Sequence, residues 1–483
     1  MKKLYIDASL PFRWGPHPPV GIPRVETALI RQALRWKASP IGFFIVDAHG
    51  RGQMLDDAEL RYLRQLVDDE LEQPVGGEGS SYLARLWKVL SIMRAAPFAP
   101  GREFDRVAAI FLSGSEKRRG LKFQLSKTAI RLFKIMKSAL CPCRLDTKDP
   151  LKEENAMCFL SSASVHELAA IKRPNKARSG IFTLMHDLIP IDFPQFVGPH
   201  HARGFVRNTA WQLENSRLLI CVSKYTAERV RCHASASSFR RIPLVAVASP
   251  GAFLREGVAD REMSFERQNQ GRKFVLYCST IEIRKNHILL LKVWHRLLPL
   301  LGERLPTLVL CGRWGWMYEE LVAFMAQHPE LGEHVQFRSN LSDRQLAELY
   351  RDAEFSVYPS AVEGWGLGAA ECLDFGLPVL ISDAPSLTEA TQGLMPTIPA
   401  RDLEAWCAAV ARACTDPAWL RELRATIASR YRPIRERDYF ATLFGHVAAL
   451  AASEPGRHVH EPNPIAAETR QRPSALVSER PAF

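Results

Sequence analysis

At 483 residues the chain exceeds what one hydrophobic core organises, so two large domains are expected. Its 47% hydrophobic and 24% charged content is that of an ordinary globular protein, and no run approaches the eighteen apolar residues of a membrane span. The formal net charge of +12 suits an anionic partner, but no basic stretch interleaved with aromatics appears, which sets nucleic acid aside.

Leu4 to Ile6 reads as a first strand, followed by a loop from Asp7 that holds Gly15, the prolines between Pro16 and Pro19, and Gly21. The apolar run of MKKLYIDASL breaks at Asp7, so no signal peptide is evident. A helix is predicted over Pro23 to Trp36, with its proline near the start, where a helix tolerates it. A loop after the first strand of an open α/β sheet faces the crevice at the strands' carboxyl ends. Gly21 and Arg24 are therefore candidate cleft residues; Arg24 either touches an anionic ligand or is a surface arginine at a helix start. Gly42 to Val46 is a second strand, and residues 54–72 form a polar helical stretch.

From 75 to 155 the rhythm breaks. Over 81–155, sixteen Lys+Arg stand against seven Asp+Glu, and no acidic residue falls between Glu116 and Asp146. Leu121, Leu125, Ala129, Leu132 and Met136 share one helical face, with Lys127, Arg131 and Lys134 opposite. Phe123 and Ile130 interrupt the basic side. Two readings stay open: a basic amphipathic helix lying in an anionic membrane surface, or a helix packed on the first domain with a solvated basic face.

Alternation resumes near Cys158. The strand Ile181 to Leu184 runs into Met185-His186-Asp187-Leu188-Ile189-Pro190, and Leu218 to Val222 is another strand, with Ser223 as the cap of the next helix. The polar, weakly periodic interval 247–272 reads as a linker. Phe274 to Tyr277 opens a second α/β unit, whose loop, Cys278 to His287, carries Arg284 and Lys285 into a helix from Ile288 to Leu298. Thr307 to Cys311 is followed by Gly312-Arg313-Trp314-Gly315-Trp316, where glycines let backbone approach a base or ribose. Val335 to Phe337 is a strand, and Ser342 caps a helix from Asp343 to Arg351. Helices over Glu404 to Cys414 and Asp438 to Ala452 finish the fold, and 453–483 is polar, proline-containing and expected to be disordered. Of ten cysteines most stand singly in apolar segments, as scattered thiols do in a reducing compartment. Only Cys141 and Cys143 are close, with no second pair to complete a zinc site.

The chain is organised around EFSVYPSAVEGWGLGAAECLDFGLPVLISDAPSLTE, Glu354 to Glu389. It reads as strand, loop, helix, strand. Gly364, Gly366 and Gly368 alternate into a helix that starts near Leu367 and ends at Gly376 with a left-handed cap. Backbone N–H groups at such a helix start attract a diphosphate. Glu363, on the loop, can hydrogen-bond sugar hydroxyls, and Glu371, one turn into the helix, can reach ribose hydroxyls. The same pattern also fits a plain βαβ unit with two solvated glutamates, because alternating glycines are a weak motif.

This stretch resembles the donor-site signature of family 4 of the retaining glycosyltransferases, PS-x-x-EG-[FW]-GLP-x-x-E-x-x-x-x-G-x-PV-x-x-S, in which two glutamates are separated by seven residues. Gly368 stands where that pattern has proline. CSTIEIRKNH is similar to the family's G-x-x-x-x-x-KN loop, MHDLIP to its HDLIP segment, GRWGW to a subgroup G-x-x-GW loop and GIPRV to a GI-x-RV element. The resemblance covers roughly 155–450 and, through short elements, 1–50. It implies an α/β GT-B architecture of two doubly wound Rossmann-like domains facing across a cleft. On that basis 1–246 is the acceptor-side domain with its basic insertion at about 75–155, 247–272 the linker, 273–435 the donor domain, 436–452 a helix crossing back, and 453–483 the tail.

The resemblance also implies site residues. His186, Lys285 and Glu363 would be catalytic, with Lys285 stabilising the departing diphosphate and His186 facing the transferred sugar or acceptor. Arg284, Lys285, Gly312, Arg313, Glu363, Gly364, Gly366, Leu367, Gly368 and Glu371 would bind the donor, and Gly21, Arg24 and Asp187 would line the acceptor side. Ser279 and Thr280 replace the family's glycine and the arginine many members carry, which leaves the second phosphate contact open. The implied reaction retains the α configuration by same-face attack, with the departing phosphate taking the acceptor proton. It needs no metal, and none is expected, since no D-x-D signature is present; no cofactor is expected beyond the nucleotide-sugar substrate. TIEIRKNH, GRWGW and EGWGLGAAE look most like bacterial mannosyltransferases of O-antigen and exopolysaccharide assembly, which use GDP-mannose. The implied acceptor is a lipid-linked or growing glycan, and the implied location is the cytoplasm, at the inner face of the cell membrane. A UDP- or dTDP-linked donor on the same fold, and a catalytically inactive GT-B scaffold subunit, remain alternatives.

Overall fold

The computed structural model describes residues 3–14, 21–36, 40–47, 49–67, 148–154, 156–171, 180–237, 239, 242–251, 253–254, 273–339 and 341–452. Most of the basic insertion, its helical face over 121–136, Cys141 and Cys143, most of the linker and the tail lie outside the described residues.

Two parallel sheets carry the chain. The first comprises β1 (Leu4–Asp7), β2 (Ile41–Val46), β3 (Gly52–Met54), β4 (Met157–Leu160), β5 (Gly180–Met185), β6 (Leu218–Cys221) and β7 (Leu244–Val247). Their order is β3-β2-β1-β4-β5-β6-β7, parallel except for the β2–β3 pair at the edge. The second comprises β8 (Phe274–Cys278), β9 (Thr307–Cys311), β10 (Val335–Arg338), β11 (Phe355–Tyr358), β12 (Val379–Ser382) and β13 (Thr397–Ile398), in the order β10-β9-β8-β11-β12-β13, all parallel. The expected doubly wound α/β class therefore holds. The sequence cause is plain in the strands. MCFL, LLIC, FSVY and VLIS are apolar at nearly every position and fully buried, as strands covered by helices on both faces must be.

Each sheet has its own core. In the first, the helix Ile22–Arg35 buries Val25, Leu29 and Ile30 against Ile6 and Phe43. The last helix, Glu436–Ala452, returns to this same core through Tyr439, Phe440, Leu443 and Val447, and Arg31 Nη1 pairs with Glu436 at 3.1 Å. In the second, Trp294 and Trp406 are fully buried among the strand side chains. No helix among the described residues is long and apolar enough to cross a membrane.

Two local expectations change. The stretch after β1 is not all loop: a helix spans Ser9–Trp14. The Asp7 carboxylate initiates it, accepting from Ser9 N at 2.9 Å while its other oxygen accepts from Ser161 N at 3.0 Å. The polar stretch at 54–72 is helical only from Asp57, because Gly50 takes φ +73 and turns the chain into the hairpin strand β3. Asp56 and Glu59 then cap the helix reciprocally, each backbone N–H bonding the other's carboxylate at 2.9 Å.

The strand order fixes where a ligand can sit. In an open sheet the crevice opens at the carboxyl ends, where successive connections leave in opposite directions. In the second sheet that point lies between β8 and β11, so the loops after these two strands meet there.

Candidate functional site

The loop after β8 closes with a tight turn, Ile283–Lys285, ended by Asn286 in the left-handed region at φ +58. Asn286 Nδ2 donates to Pro359 O at 3.2 Å and Ala400 O at 3.0 Å, tying this turn to the loop after β11. Arg284 Nη1 donates to Val362 O at 2.9 Å and to Glu363 Oε2 at 2.7 Å, and its Nη2 to Glu282 Oε1 at 2.5 Å. Lys285 Nζ pairs with the other oxygen, Glu363 Oε1. Backbone carbonyls hold the frame: Tyr277 Oη donates to Lys285 O at 2.8 Å, and Ser386 Oγ to Glu363 O at 2.7 Å. Two cations and two carboxylates thus form one buried group of zero formal charge.

Burial alone would raise the Glu363 carboxyl, but Lys285 and Arg284 outweigh it and hold it down at about 2. Burial lowers the Lys285 ammonium, and Arg284 beside it adds to that, against the pull of Glu363. Burial pushes the Glu282 carboxyl up against the pull of Arg284 and Lys285. His287, next along the chain, is pushed down to about 3 by burial and by Lys285. Its ring lies 4.7 Å from Tyr277 and its Nε2 3.3 Å from Ser279 Oγ.

The glycines of the second loop have separate causes. Gly364 O accepts from Ser223 Oγ at 2.6 Å and Thr226 Oγ1 at 3.1 Å, both on the first domain, and a Cβ here would stand 2.0 Å from His186 O. Gly366 precedes the helix Leu367–Asp374 at φ +113, where a side chain is strained. At Gly368 a Cβ would lie 1.9 Å from Tyr358 Oη, which donates to Cys278 O at 2.8 Å. The tyrosine hydroxyl fills the space that a side chain at 368 would need, which accounts for the missing proline. Gly312 serves packing between loops: a Cβ there would stand 1.8 Å from Ser279 O. Arg313 is exposed, and Trp316 Nε1 donates to Phe196 O at 2.8 Å across the domain boundary.

On the first-domain side, Asp187 Oδ1 accepts from Ile189 N at 3.0 Å. His186 Nε2 lies 3.8 Å from Glu26 Oε1, which accepts from Ser162 N at 3.0 Å. His186 Nε2 and Glu26 Oε2 are buried without a hydrogen-bond partner. Gly21 takes φ +58 before its helix and is exposed. Arg24 is buried rather than on the surface and spans the domains, with Nη2 2.7 Å from Asp343 Oδ1 and Nη1 4.0 Å from Glu371 Oε1. Glu371 Oε2 accepts from Tyr350 Oη at 2.7 Å. The structure thus brings Arg284, Lys285 and Glu363 into one group and sets His186, Asp187 and Gly364 against each other. Glu371 joins Arg24 in a second group, while the Arg313 carbonyl accepts from Ile281 N at 2.8 Å in the loop after β8.

Sequence reasoning missed Glu282, Glu26 and Tyr350. Glu26 carried a usable signal: it is a lone carboxylate within the apolar run VETALI. Glu282 precedes a paired cation by two residues, which alone does not mark it.

The family model described as glycosyl transferases group 1 matches residues 259–430. The serotype-specific mannosyltransferase WbdA of Escherichia coli is 28% identical over 241 residues, which cover 47% of this chain and 29% of that protein. The O-antigen chain mannosyltransferase B of Escherichia coli is 26% identical over 239 residues, 49% of this chain and 62% of that one. The chain therefore spans less than a third of the first relative. Among solved structures, the sucrose-phosphate synthase of Thermosynechococcus elongatus has a TM-score of 0.55 at 16% identity, covering 94% of this chain and 100% of that one. HepE of Anabaena, in complex with UDP and glucose, has a TM-score of 0.54 at 13% identity, covering 93% and 100%. Such identities speak to the fold alone. Residues 259–430 thus match the glycosyl transferases group 1 model, and the fold of the chain is the GT-B architecture of these solved structures.

Proposed function

We propose that the chain is a retaining glycosyltransferase of family 4 that moves mannose from GDP-mannose to a lipid-linked or growing glycan acceptor, in bacterial O-antigen or related surface polysaccharide synthesis. The reading is carried by one observation: Arg284 and Lys285 are held side by side at the switch point of the second sheet, against Glu363. Two fixed cations in a low-dielectric crevice suit a leaving diphosphate, whose negative charge grows as the glycosidic bond breaks. The Escherichia coli relatives, both mannosyltransferases, support the choice of mannose.

On this reading Arg284 and Lys285 take the phosphates and the N-terminus of the helix Leu367–Asp374 adds its N–H groups. Glu363 turns to the sugar hydroxyls. His186, across the cleft with Glu26 behind it, orients the transferred sugar or the acceptor. The acceptor attacks from the leaving-group face and the departing phosphate takes its proton. The reaction takes place in the cytoplasm, and the basic insertion at about 75–155 attaches the protein to an anionic membrane surface beside its lipid-linked acceptor.

A thermal-shift panel of GDP-, UDP- and dTDP-sugars tests the donor. Ligand that binds only the native state raises the melting temperature with concentration. GDP-mannose should give the largest rise and release GDP with acceptor present. A larger rise with a UDP- or dTDP-sugar overturns the donor, and no response to any of them overturns the nucleotide-sugar site.

A further inference from the structure

Three side chains from three elements meet at the other end of the second sheet. His295 lies on the helix His287–Leu301, His328 follows the helix Glu319–Gln327, and Glu330 belongs to the turn Pro329–Glu333. The first of these helices starts at the carboxyl end of β8 and runs back, so His295 lies about 12 Å along it, at 1.5 Å per residue. The turn leads into β10 from its amino end. The cluster is therefore remote from Arg284 and Lys285.

Its geometry is that of a partly assembled coordination sphere. Glu330 Oε1 lies 3.3 Å from His295 Nε2 and 3.1 Å from His328 Nδ1. All three ligand atoms fall within 4.8 Å of one another, and the two imidazole centroids are 4.0 Å apart. A tetrahedral ion with bonds of about 2.0–2.1 Å has ligand-to-ligand edges of roughly 3.3–3.4 Å, so two edges already have nearly the right length. The rings are also set in place. Phe324 packs on His328 at 4.3 Å between centroids and meets His295 edge-on at 5.9 Å. Neutral imidazoles that each donate an N–H to Glu330 Oε1 give the same distances, and metal uptake separates the two arrangements.

We propose that His295 Nε2, His328 Nδ1 and Glu330 form a binding site for one divalent transition-metal ion of the zinc type, with water completing the tetrahedron. Two imidazoles and one carboxylate are borderline ligands that favour such an ion over magnesium or calcium, which prefer oxygen. The ion clips the helix that leaves the donor site to the segment 319–333. It stabilises the domain and takes no part in the transfer reaction.

The test uses the untagged full chain after chelator treatment, titrated with Co²⁺ as a spectroscopic stand-in and then with Zn²⁺ in competition. The parent should bind one Co²⁺ with the absorption of a tetrahedral site, lose that signal to Zn²⁺, and melt several degrees higher with excess Zn²⁺. The pair His295→Asn and His328→Asn should abolish that equivalent and the Zn²⁺-dependent shift. Glu330→Gln, which keeps the shape, should weaken binding at least tenfold. Equal cobalt stoichiometry and equal melting response in the parent and the double variant would overturn the site, as would no uptake by the parent. The metal-free melting temperatures show whether each variant is folded.

Discussion

Lys285→Ala separates the electrostatic role of the cation pair from its place in the fold. Removing the ammonium leaves Glu363 bonded to Arg284 at 2.7 Å, and Arg284 bonded to Glu282, so no carboxylate is left alone. The lysine is also a charge whose burial disfavours it. Losing it relieves that cost while losing the pair, and the net change in stability should be about 1 kcal/mol, inside the range of ordinary substitutions. The effect on transfer should be larger. One well-placed charge partner of a developing anion contributes on the order of 3 kcal/mol, which is about 10²-fold in turnover. Glu363→Gln should behave in the opposite sense. It leaves Arg284 and Lys285 as adjacent buried cations facing Glu282, and breaking a buried pair in this way costs roughly 3–5 kcal/mol. The assay is release of nucleoside diphosphate with a purified acceptor, beside thermal unfolding of both variants. Near-normal turnover in Lys285→Ala, or destabilisation equal to that of Glu363→Gln, would refute the reasoning.

Three further outcomes are expected. Gly364→Ala should push the domains apart, because its Cβ would stand 2.0 Å from His186 O; small-angle scattering should show a larger radius of gyration and turnover should fall at least tenfold, whereas unchanged values would mean that closure does not pass through this contact. His287 has a folded-state value of about 3, below its unfolded value of about 6.5, so its contribution is full above pH 6.5 and is lost as pH falls through 6.5 towards 3. At pH 5 the loss should be about 2 kcal/mol in urea unfolding, and His287→Gln should flatten that part of the profile. The full chain should float with anionic liposomes at low salt, and a variant with Lys127, Arg131, Lys134 and Lys137 changed to Gln should float less, each charge contributing about 1 kcal/mol near the surface; equal flotation would set the segment 121–136 aside as the contact.

The fold was legible wherever a strand had to be buried on both faces. Phe274 to Tyr277, Thr307 to Cys311 and Phe355 to Tyr358 are apolar runs with turn residues at their ends, and they appear as β8, β9 and β11 within a residue. The short helix Ser9–Trp14 starts on a local bond from Ser9 N to the Asp7 carboxylate, but what holds that carboxylate in place is Ser161, some 150 residues away, which no local pattern shows. The edge strand β3 carries only Gly52, Gln53 and Met54, too little pattern for any period to show. At the site, the sequence marked Arg284 and Lys285 for the diphosphate and Glu363 for the sugar. It did not show that they neutralise one another, since that depends on two loops that meet only because β8 and β11 are neighbours. Arg24 shows the same limit. Its helix start pointed to the cleft, but its partners, Asp343 and Glu371, lie more than three hundred residues on.

The balance of charge at the switch point bears on how a donor would enter. Arg284 and Lys285 are consecutive residues, and in a low dielectric two adjacent cations repel strongly unless anions compensate. Glu282 and Glu363 supply that compensation. The diphosphate of a nucleotide-sugar brings about two negative charges of its own, so on the proposed reading it replaces the carboxylates as partner of the cations. Glu363 can yield without unravelling the loop, because Ser386 holds its carbonyl, not its side chain. Its carboxylate then has both oxygens for sugar hydroxyls, at a position set by Gly364, whose carbonyl Ser223 and Thr226 hold from the other domain. Glu282 is buried as Glu363 is, and its Oε1 accepts from Arg284 Nη2. Its carboxyl is already raised by burial, which makes it the member of the group that most readily takes a proton when the diphosphate adds negative charge.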